Sequence, residues 1–265
     1  MKYNNPKLWT LTWSELMYAV ITGVSSGLGA AMVNFFAAQG VQVIGVSRSK
    51  PAEDVQKNLL AWISGDITKA DDRARIVAET EKLCNGSLDL LINNAGKGIY
   101  ATWEEMDEND LREVFELDFF AMVALTKAFL PQLSAAKGTI VNIASAAGRL
   151  WVPCMGAYCA AKAAVSMFSN SLRVEVKRMG IRVLDVSPGQ INTGFSSRSC
   201  GSRRPPDSPG AKGHSPAGLA KAVFRAWKKK KKRITYPGKL AFLIFLVRVV
   251  LPDLYDRISV KLWKL

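Results

Sequence analysis

The sequence predicts a doubly wound α/β fold in which one parallel sheet of about seven strands is covered by helices on both faces. Short runs rich in Val, Ile and Leu alternate along the chain with longer segments of helical periodicity. This alternation is typical of a parallel sheet that is buried on both sides. The chain has 265 residues, of which 49% are hydrophobic, which is enough for one well-buried domain and too few for two.

The elements follow one another without space for a second domain. Each predicted strand is a short apolar run of the kind that is buried in a sheet, and strands are expected at residues 17–22, 41–47, 61–66, 88–93, 138–145, 181–187 and 233–236. Helices are expected at residues 29–39, 69–84, 107–130 and 156–179. Residues 190–216 are rich in Ser, Gly, Pro and Arg, and a loop of this length is usually either functional or disordered.

Cysteine and histidine usage excludes several classes of site. Cys84, Cys154, Cys159 and Cys200 form no Cys-x-x-Cys pair, so reduced thiols in a cytoplasmic protein are expected rather than a disulfide framework. His214 is the only histidine and lies in a loop rich in Ser, Pro and Gly. A zinc site would lack ligands, and a hydrolase of the nucleophile–histidine type would lack its base. No metal is expected.

The positive charge is concentrated at one end of the chain. The formal net charge is +14, and residues 228–265 carry eleven Lys or Arg against two Asp, which is +9 of that total. A nucleic-acid-binding domain would favour a basic face spread over the fold, so no nucleic-acid partner is expected. Residues 1–16 lack the apolar core of a signal peptide. The apolar run at 240–251, which Arg248 interrupts, is shorter than the ~20 residues that span a bilayer.

A glycine-rich turn follows the first predicted strand where a helix begins. It reads Thr22-Gly23-Val24-Ser25-Ser26-Gly27-Leu28-Gly29. Glycines at such a turn let the backbone approach a pyrophosphate, which then rests on the helix N-terminus. The turn therefore predicts a Rossmann-type dinucleotide site, with contacts from Gly23, Ser25, Ser26, Gly27, Leu28 and Gly29.

Three further motifs follow on the expected elements. They are Asn93-Asn94-Ala95-Gly96 after the fourth strand, Ser145 at the end of the fifth, and Tyr158-x-x-x-Lys162 on a helix. With the Gly-x-x-x-Gly-x-Gly turn, the chain resembles the short-chain dehydrogenase/reductases from about Tyr18 to Gly238. The resemblance implies a homo-oligomeric (dimeric or tetrameric) NAD(P)-dependent oxidoreductase acting on CH–OH or C=O groups. Residues 1–238 would form its catalytic domain, with 190–216 as a substrate loop, and residues 239–265 a C-terminal tail.

The spacing of Tyr158 and Lys162 fits acid/base chemistry. Residues four apart lie on the same face of a helix, and an ammonium beside a phenol lowers the phenol pKa from its usual ~10. A tyrosine tuned in this way can protonate a developing alkoxide or deprotonate an alcohol. Ser145 ends a parallel strand, where its hydroxyl is expected to hydrogen-bond the reacting oxygen.

One catalytic position departs from the family pattern. The resemblance implies an asparagine in the long helix after Asn93-Asn94-Ala95-Gly96, where it helps to hold a water in a proton relay to the lysine. Here that position is Asp118. Aspartate still accepts hydrogen bonds, but its negative charge would favour the ammonium form of Lys162. Altered turnover is expected, rather than its loss.

The end of the second strand favours NADP(H) over NAD(H). An acidic residue there would bind the ribose 2′-hydroxyl and repel a 2′-phosphate. Ser47 takes that place and Arg48 follows, and a guanidinium is suited to phosphate. For the rest of the cofactor, the resemblance implies contacts from Asp66, Asn94, Ala95, Gly96, Tyr158, Lys162, Pro188, Gly189 and Thr193. Asn93 is expected to brace its strand instead.

The substrate side is expected to be apolar. Residues 146–155 are apolar apart from Arg149, and ligand pockets are mostly apolar. Leu150, Trp151, Val152 and Phe195 are therefore candidates, with Ser145, for lining a lipophilic pocket. The alternative for each apolar residue is the protein core or a subunit interface.

The tail supports the same substrate class. Lysines at 228–232, an apolar stretch at 240–251 and an amphipathic end at 252–265 fit peripheral contact with an anionic membrane. Packing on a neighbouring subunit is the alternative. The sequence thus favours NADPH-dependent reduction, or the reverse oxidation, of a lipophilic ketone or alcohol such as a steroid, long-chain keto compound or sphingoid precursor. The rivals are a dehydrogenase of a small polar alcohol and a catalytically weak, nucleotide-binding scaffold.

Overall fold

The computed structural model of the chain describes residues 16–203 and 213–264. Residues 1–15, 204–212 and 265 lie outside the described residues. Two expectations fall there wholly or in part: the lack of a signal peptide at residues 1–16, and the middle of the loop at 190–216.

Seven strands form one parallel sheet, which confirms the predicted architecture. In chain order, β1 to β7 are Tyr18–Thr22, Gln42–Ser47, Ala61–Ser64, Leu90–Asn93, Thr139–Ile143, Arg182–Pro188 and Arg233–Tyr236. Their order in the sheet is β3-β2-β1-β4-β5-β6-β7. The strand order therefore reverses between β1 and β4, and open α/β sheets bind ligands at the carboxyl ends of the strands beside such a reversal.

Helices cover both faces of this sheet. In chain order, α1 to α9 are Gly27–Ala38, Glu53–Gln56, Ala70–Leu83, Glu108–Phe115, Ala121–Ala135, Gly156–Glu175, Pro216–Lys228, Lys239–Phe245 and Pro252–Trp263. Successive strand residues point to opposite faces. In β1, Ile21 packs with α1 and α7, whereas Val20 packs with α3, α5 and α6. The two cores together bury β1, β4 and β5 completely.

Three helical regions differ from the sequence-based prediction, the smallest being α2, a four-residue helix that was not predicted. The helix expected at 107–130 is α4 and α5 joined by a π-helical turn at Glu116–Phe120, and it extends to Ala135. Helix α7 was missed, although the sequence contains its signals. The side chain of Ser215 accepts a hydrogen bond from the Gly218 N–H as an N-cap, and Pro216 opens the helix.

The C-terminal tail folds against the domain as two helices. Helix α8 follows β7 and continues into a π-helical turn at Leu246–Val250, after which α9 begins. Ile244 and Val247 are buried. In the described ranges, no helix is long and apolar enough to cross a membrane.

Candidate active site

The turn after β1 has the backbone geometry that a pyrophosphate site needs. Gly23 and Gly27 have φ of +73° and +59°, values that side chains rarely tolerate. A side chain at Gly29 would collide with the carbonyl oxygen of Gly23. The N-cap of α1, Ser26, makes no side-chain capping hydrogen bond, so the first-turn N–H groups of α1 have no such competitor for an anion.

A single cavity of about 1020 Å³ lies along the carboxyl ends of the strands. It is large enough for a dinucleotide and a substrate together. All the residues predicted to contact the cofactor line it: Gly23, Ser25, Ser26, Gly27, Leu28, Gly29, Arg48, Asp66, Asn94, Ala95, Gly96, Tyr158, Lys162, Pro188, Gly189 and Thr193. The residues present therefore fit a nicotinamide dinucleotide.

At the end of β2, Ser47 occupies the position where an acidic residue would favour NAD(H), and the cationic side chain of Arg48 follows it. Ser47 donates a hydrogen bond to the carbonyl of Ser49 at 2.8 Å and accepts one from the Trp62 ring N–H at 3.0 Å. The Arg48 side chain is 74% exposed, and its guanidinium is 3.9 Å from Asp66. This contact is too long and too exposed to hold Arg48 strongly, which leaves the guanidinium able to turn toward a ligand.

Asparagines brace the strands beneath the cavity. The side-chain amide of Asn93 donates to Thr126 Oγ1 at 2.9 Å and to Asn142 Oδ1 at 2.8 Å. Asn142 in turn donates to Ser169 at 2.8 Å. Asn93 does not line the cavity, in agreement with the bracing expected for it. The network links β4 and β5 to α5 and α6, and so fixes the strand end that precedes Ser145.

Ser145, Tyr158 and Lys162 meet in the cavity. The Lys162 ammonium lies 5.7 Å from the Tyr158 ring centroid and donates to the carbonyl of Ile143 at 3.1 Å. The expectation that Lys162 lowers the pKa of Tyr158 below its usual value is wrong for the protein alone, because burial raises that pKa to about 12. The charge of Lys162 acts against burial, Asp118 raises the pKa further, and the nearby Ser145 hydroxyl lowers it. The phenol is therefore protonated at neutral pH in the protein alone.

Asp118 lies behind this group, on the π-helical turn, and does not line the cavity. Its Oδ2 is 2.9 Å from the Lys162 ammonium, and its Oδ1 accepts a hydrogen bond from the Lys97 N–H at 2.8 Å. Burial alone would lower the pKa of Lys162, but the charge of Asp118, the nearby Tyr158 and the hydrogen bond to Asp118 together outweigh burial and raise that pKa. A side chain at Gly96 would press on the Asp118 carboxylate, which explains the glycine there.

Apolar side chains also line the cavity. Leu150, Val152 and Phe195 line it, and the ring of Phe195 lies 5.5 Å from that of Tyr158. Trp151 does not line it. The Trp151 ring is 40% exposed and packs edge-on against Tyr255, with centroids 5.5 Å apart. Its ring N–H donates to Asp256 Oδ1 at 2.6 Å, so Trp151 joins the loop to α9.

Several wall residues were missed from sequence. They are Tyr100, Met155, Ile191, Ser196, Arg198, Leu262 and Trp263. Trp263 stacks on Tyr100 with centroids 6.4 Å apart and rings inclined by 23°, so the last helix supplies part of the wall. The available signal was the spacing of Tyr255, Ser259 and Trp263, which places them on one face of α9.

Metal and histidine chemistry find little support in this geometry. Within residues 16–203 and 213–264, no three His, Cys, Asp or Glu side chains come close enough together to hold a metal ion. His214 does not line the cavity, and its ring packs edge-on against Tyr236 at 5.6 Å.

A family model of the short chain dehydrogenases matches residues 17–201. The chain is a short-chain dehydrogenase/reductase. This assignment confirms the resemblance carried by its motifs. This short-chain dehydrogenase/reductase is an oxidoreductase that uses a nicotinamide cofactor and acts on CH–OH or C=O groups.

This short-chain dehydrogenase/reductase is similar over most of its length to two named reductases and to one solved structure. The 3-ketodihydrosphingosine reductase of Bacteroides thetaiotaomicron is 37% identical over 180 residues, covering 67% of this chain and 65% of the relative. The NADPH-dependent 1-acyldihydroxyacetone phosphate reductase of Schizosaccharomyces pombe is 34% identical over 186 residues, covering 69% and 63%. The structure of a Streptomyces avermitilis short-chain dehydrogenase superposes with a TM-score of 0.74 and 28% identity, covering 94% of this chain and 97% of that one.

Proposed function

We propose that this enzyme reduces a lipophilic ketone with NADPH, or oxidises the corresponding alcohol, with Tyr158 as the acid/base. One observation carries the proposal. Ser145, Tyr158 and Lys162 line the same cavity as the nucleotide turn, which we call its nucleotide half, and as a set of apolar side chains, which we call its apolar half and which includes Phe195, 5.5 Å from the Tyr158 ring. A carbonyl bound in the apolar half would meet the phenol and the cofactor at the same point.

Each residue of the group has a separate role. When bound, the cofactor supplies the hydride to the carbonyl carbon, or accepts it in the reverse direction. In reduction, Tyr158 gives its phenolic proton to the carbonyl oxygen as negative charge develops there. Ser145 holds that oxygen by a hydrogen bond. The charge of Lys162 stabilises the phenolate that remains, and Asp118 positions the ammonium through their ion pair.

The proposed preference for NADP(H) rests on Arg48 and Ser47. Arg48 lines the cavity with an exposed guanidinium, which can pair with a 2′-phosphate. Ser47 presents no carboxylate to repel one. The fission yeast relative is named as NADPH-dependent, which supports the same preference.

The proposed substrate class rests on the apolar half of the cavity. An aliphatic or polycyclic group could bury its apolar surface against the side chains of Leu150, Val152, Phe195 and Trp263. A small polar alcohol would leave most of this part of the cavity unfilled. Both curated relatives are named for lipid substrates, an acyl ketone phosphate and a sphingoid ketone. A catalytically weak scaffold finds support only in Asp118, whose carboxylate is engaged with Lys162 rather than blocking the cavity.

We also propose that the enzyme associates peripherally with anionic membranes. The lysine-rich segment 228–233 and the apolar side chains of α8 and α9 support this contact. We also propose that the enzyme is a homo-oligomer, as the family resemblance implies.

The function is tested by NADPH oxidation with a panel of lipophilic and small polar ketones, presented in detergent. We expect turnover with the lipophilic members. Tyr158→Phe should reduce kcat by about 10²–10⁴ and leave NADPH affinity nearly unchanged, because the hydroxyl is only one of many predicted cofactor contacts and most of the others lie in the turn after β1 and at Arg48. Tyr18→Phe is the matched control, since both tyrosines are 7% exposed and Tyr18 is remote from the cavity. Near-parental turnover by Tyr158→Phe would rule out the proposed acid/base.

A further inference from the structure

The exposed apolar surface of the enzyme is concentrated on its last two helices. Of fifteen large hydrophobic side chains that are exposed among the described residues, ten lie between residues 242 and 262. They are Phe242, Leu243, Phe245, Val249, Val250, Leu251, Leu254, Ile258, Val260 and Leu262. We call them the outer face. A concentration of exposed apolar side chains of this kind marks an interaction site.

The segment that carries the outer face is itself folded onto the domain. Leu240 lies against Gly189, Ile244 and Val247 are buried, and Trp263 stacks on Tyr100. The outer face is therefore carried by two helices that other side chains already anchor to the domain. Any partner would meet a preformed surface and would not have to order a loose tail first.

The charge around the outer face favours an anionic lipid surface over a second copy of the chain. Residues 239–264 carry five cationic side chains against two aspartates, and Asp256 is engaged with Trp151. A symmetric dimer through this face would set two such cationic surfaces against each other. An anionic bilayer would instead attract the cations and bury the apolar side chains between them.

The outer face runs into the mouth of the substrate cavity. Leu254, Ile258 and Leu262 recur every four residues and form one stripe along α9. Leu262 is 50% exposed and also lines the cavity. A lipophilic molecule could therefore pass from the stripe into the cavity along apolar surface.

We propose that the outer face docks on an anionic bilayer, and that substrate enters the cavity from the lipid beside Leu262. This inference rests on the proposed function, because it assigns the source of the lipophilic substrate. It makes α9 a shared wall, with Trp263 toward the substrate and Ile258 toward the lipid.

Docking is tested by cosedimentation of the full chain with phosphatidylcholine vesicles, with and without phosphatidylglycerol. We expect binding to the anionic vesicles and at least about tenfold weaker binding by Phe242→Ser/Ile258→Ser, which removes two side chains available for burial. Met167→Ser/Val174→Ser is the matched control, because these α6 side chains are similarly exposed, at 70% and 71%. Failure of the parent to sediment, or equal sedimentation by Phe242→Ser/Ile258→Ser, would overturn docking.

Entry is tested with 2-hexadecanone embedded in the same vesicles and with cyclohexanone in solution. Phe242→Ser/Ile258→Ser should lose most of its kcat/KM on the embedded ketone and keep the parental value on cyclohexanone. Parental efficiency on the embedded ketone, despite weakened binding, would overturn entry from the lipid. Sedimentation needs no turnover, so docking can still be judged if the parent reduces no ketone in detergent and the proposed function itself fails.

Discussion

At the scale of single residues, a buried carboxylate and a buried ammonium face each other beside the proposed acid/base. Both side chains of the Asp118–Lys162 pair are at most 7% exposed. Two charges in such a place are tolerated because each compensates the other, and removing one leaves the other unpaired at a cost of several kcal/mol, about 3–5. Lys162→Ala should therefore harm both stability and activity, and a milder change is needed to isolate the effect of Asp118.

Asp118→Asn provides that change, since it removes a negative charge and keeps the shape of the side chain. The charge of Asp118 raises the pKa of Tyr158, so its removal should lower that pKa. Alcohol oxidation needs the phenolate, and its rate should then rise with pH from a lower pH than in the parent. At a fixed pH well below the pKa of Tyr158, a tenfold larger acid dissociation constant gives about tenfold more phenolate.

The measurement is the pH profile of kcat for alcohol oxidation. Glu116→Gln is the control, because it removes an exposed charge from the same π-helical turn. A profile that superposes on the parental one would show that Asp118 does not tune Tyr158.

Arg48→Ala tests cofactor preference. A charge-assisted hydrogen bond contributes roughly 1.5–3 kcal/mol, so NADPH should bind about 10–100-fold more weakly while NADH binding is unchanged. Lys50→Ala is the matched control, since Lys50 is a nearby exposed cation that does not line the cavity. Titration of cofactor fluorescence gives both affinities, and equal losses for the two cofactors would contradict the assignment of the 2′-phosphate.

At the scale of elements, local signals were sufficient for the sheet and the nucleotide half of the cavity. The turn at 23–29 and the pair Tyr158 and Lys162 each lie within one short segment, so spacing alone fixes their relative positions. The wall formed by Tyr100 and Trp263 could not be derived in this way. The two residues belong to distant segments, and an amphipathic helix shows which face is apolar without showing what that face contacts.

The same reason explains why Trp151 was wrongly predicted to line the substrate pocket. Its position between Ser145 and Tyr158 indicated a residue near the substrate, and the structure places it one layer further out, against α9. The apolar pattern of the loop does not specify which of its neighbouring side chains turn inward. That choice is made by α9, which offers Trp151 a carboxylate acceptor and an aromatic edge.

The contact between Trp151 and α9 has a measurable role. Asp256→Ala removes the acceptor of the 2.6 Å hydrogen bond and should loosen α9 over the cavity. We expect KM for a lipophilic ketone in detergent to rise by roughly 2–10-fold, which corresponds to a hydrogen bond of about 0.5–1.5 kcal/mol, with kcat little changed. Asp256→Asn keeps an acceptor oxygen and should restore most of the parental KM. Equal KM values for all three proteins would show that the contact does not hold the wall.

At the scale of the whole molecule, the order of the strands places the chemistry. Because β1 and β4 lie side by side and the chain leaves them in opposite directions, their carboxyl ends border a crevice that no crossover helix covers. The nucleotide turn follows β1, the Asn94–Gly96 segment follows β4, and Ser145 follows β5. Residues from distant parts of the sequence therefore converge there without any irregularity in the sheet.

That strand order also governs how the chain acquires its structure. All neighbouring strands are parallel, so no pair can form as a local hairpin. The middle of the sheet forms only after β1 pairs with β4, for example Val20 with Leu91. Closing such long loops costs entropy before any contact is gained, which makes topologies of this kind slow to fold. Until they pair, the strands expose edges with unpaired backbone groups, through which folding intermediates can aggregate. The refolded yield of this enzyme should accordingly fall as the protein concentration rises, even where the native state is stable.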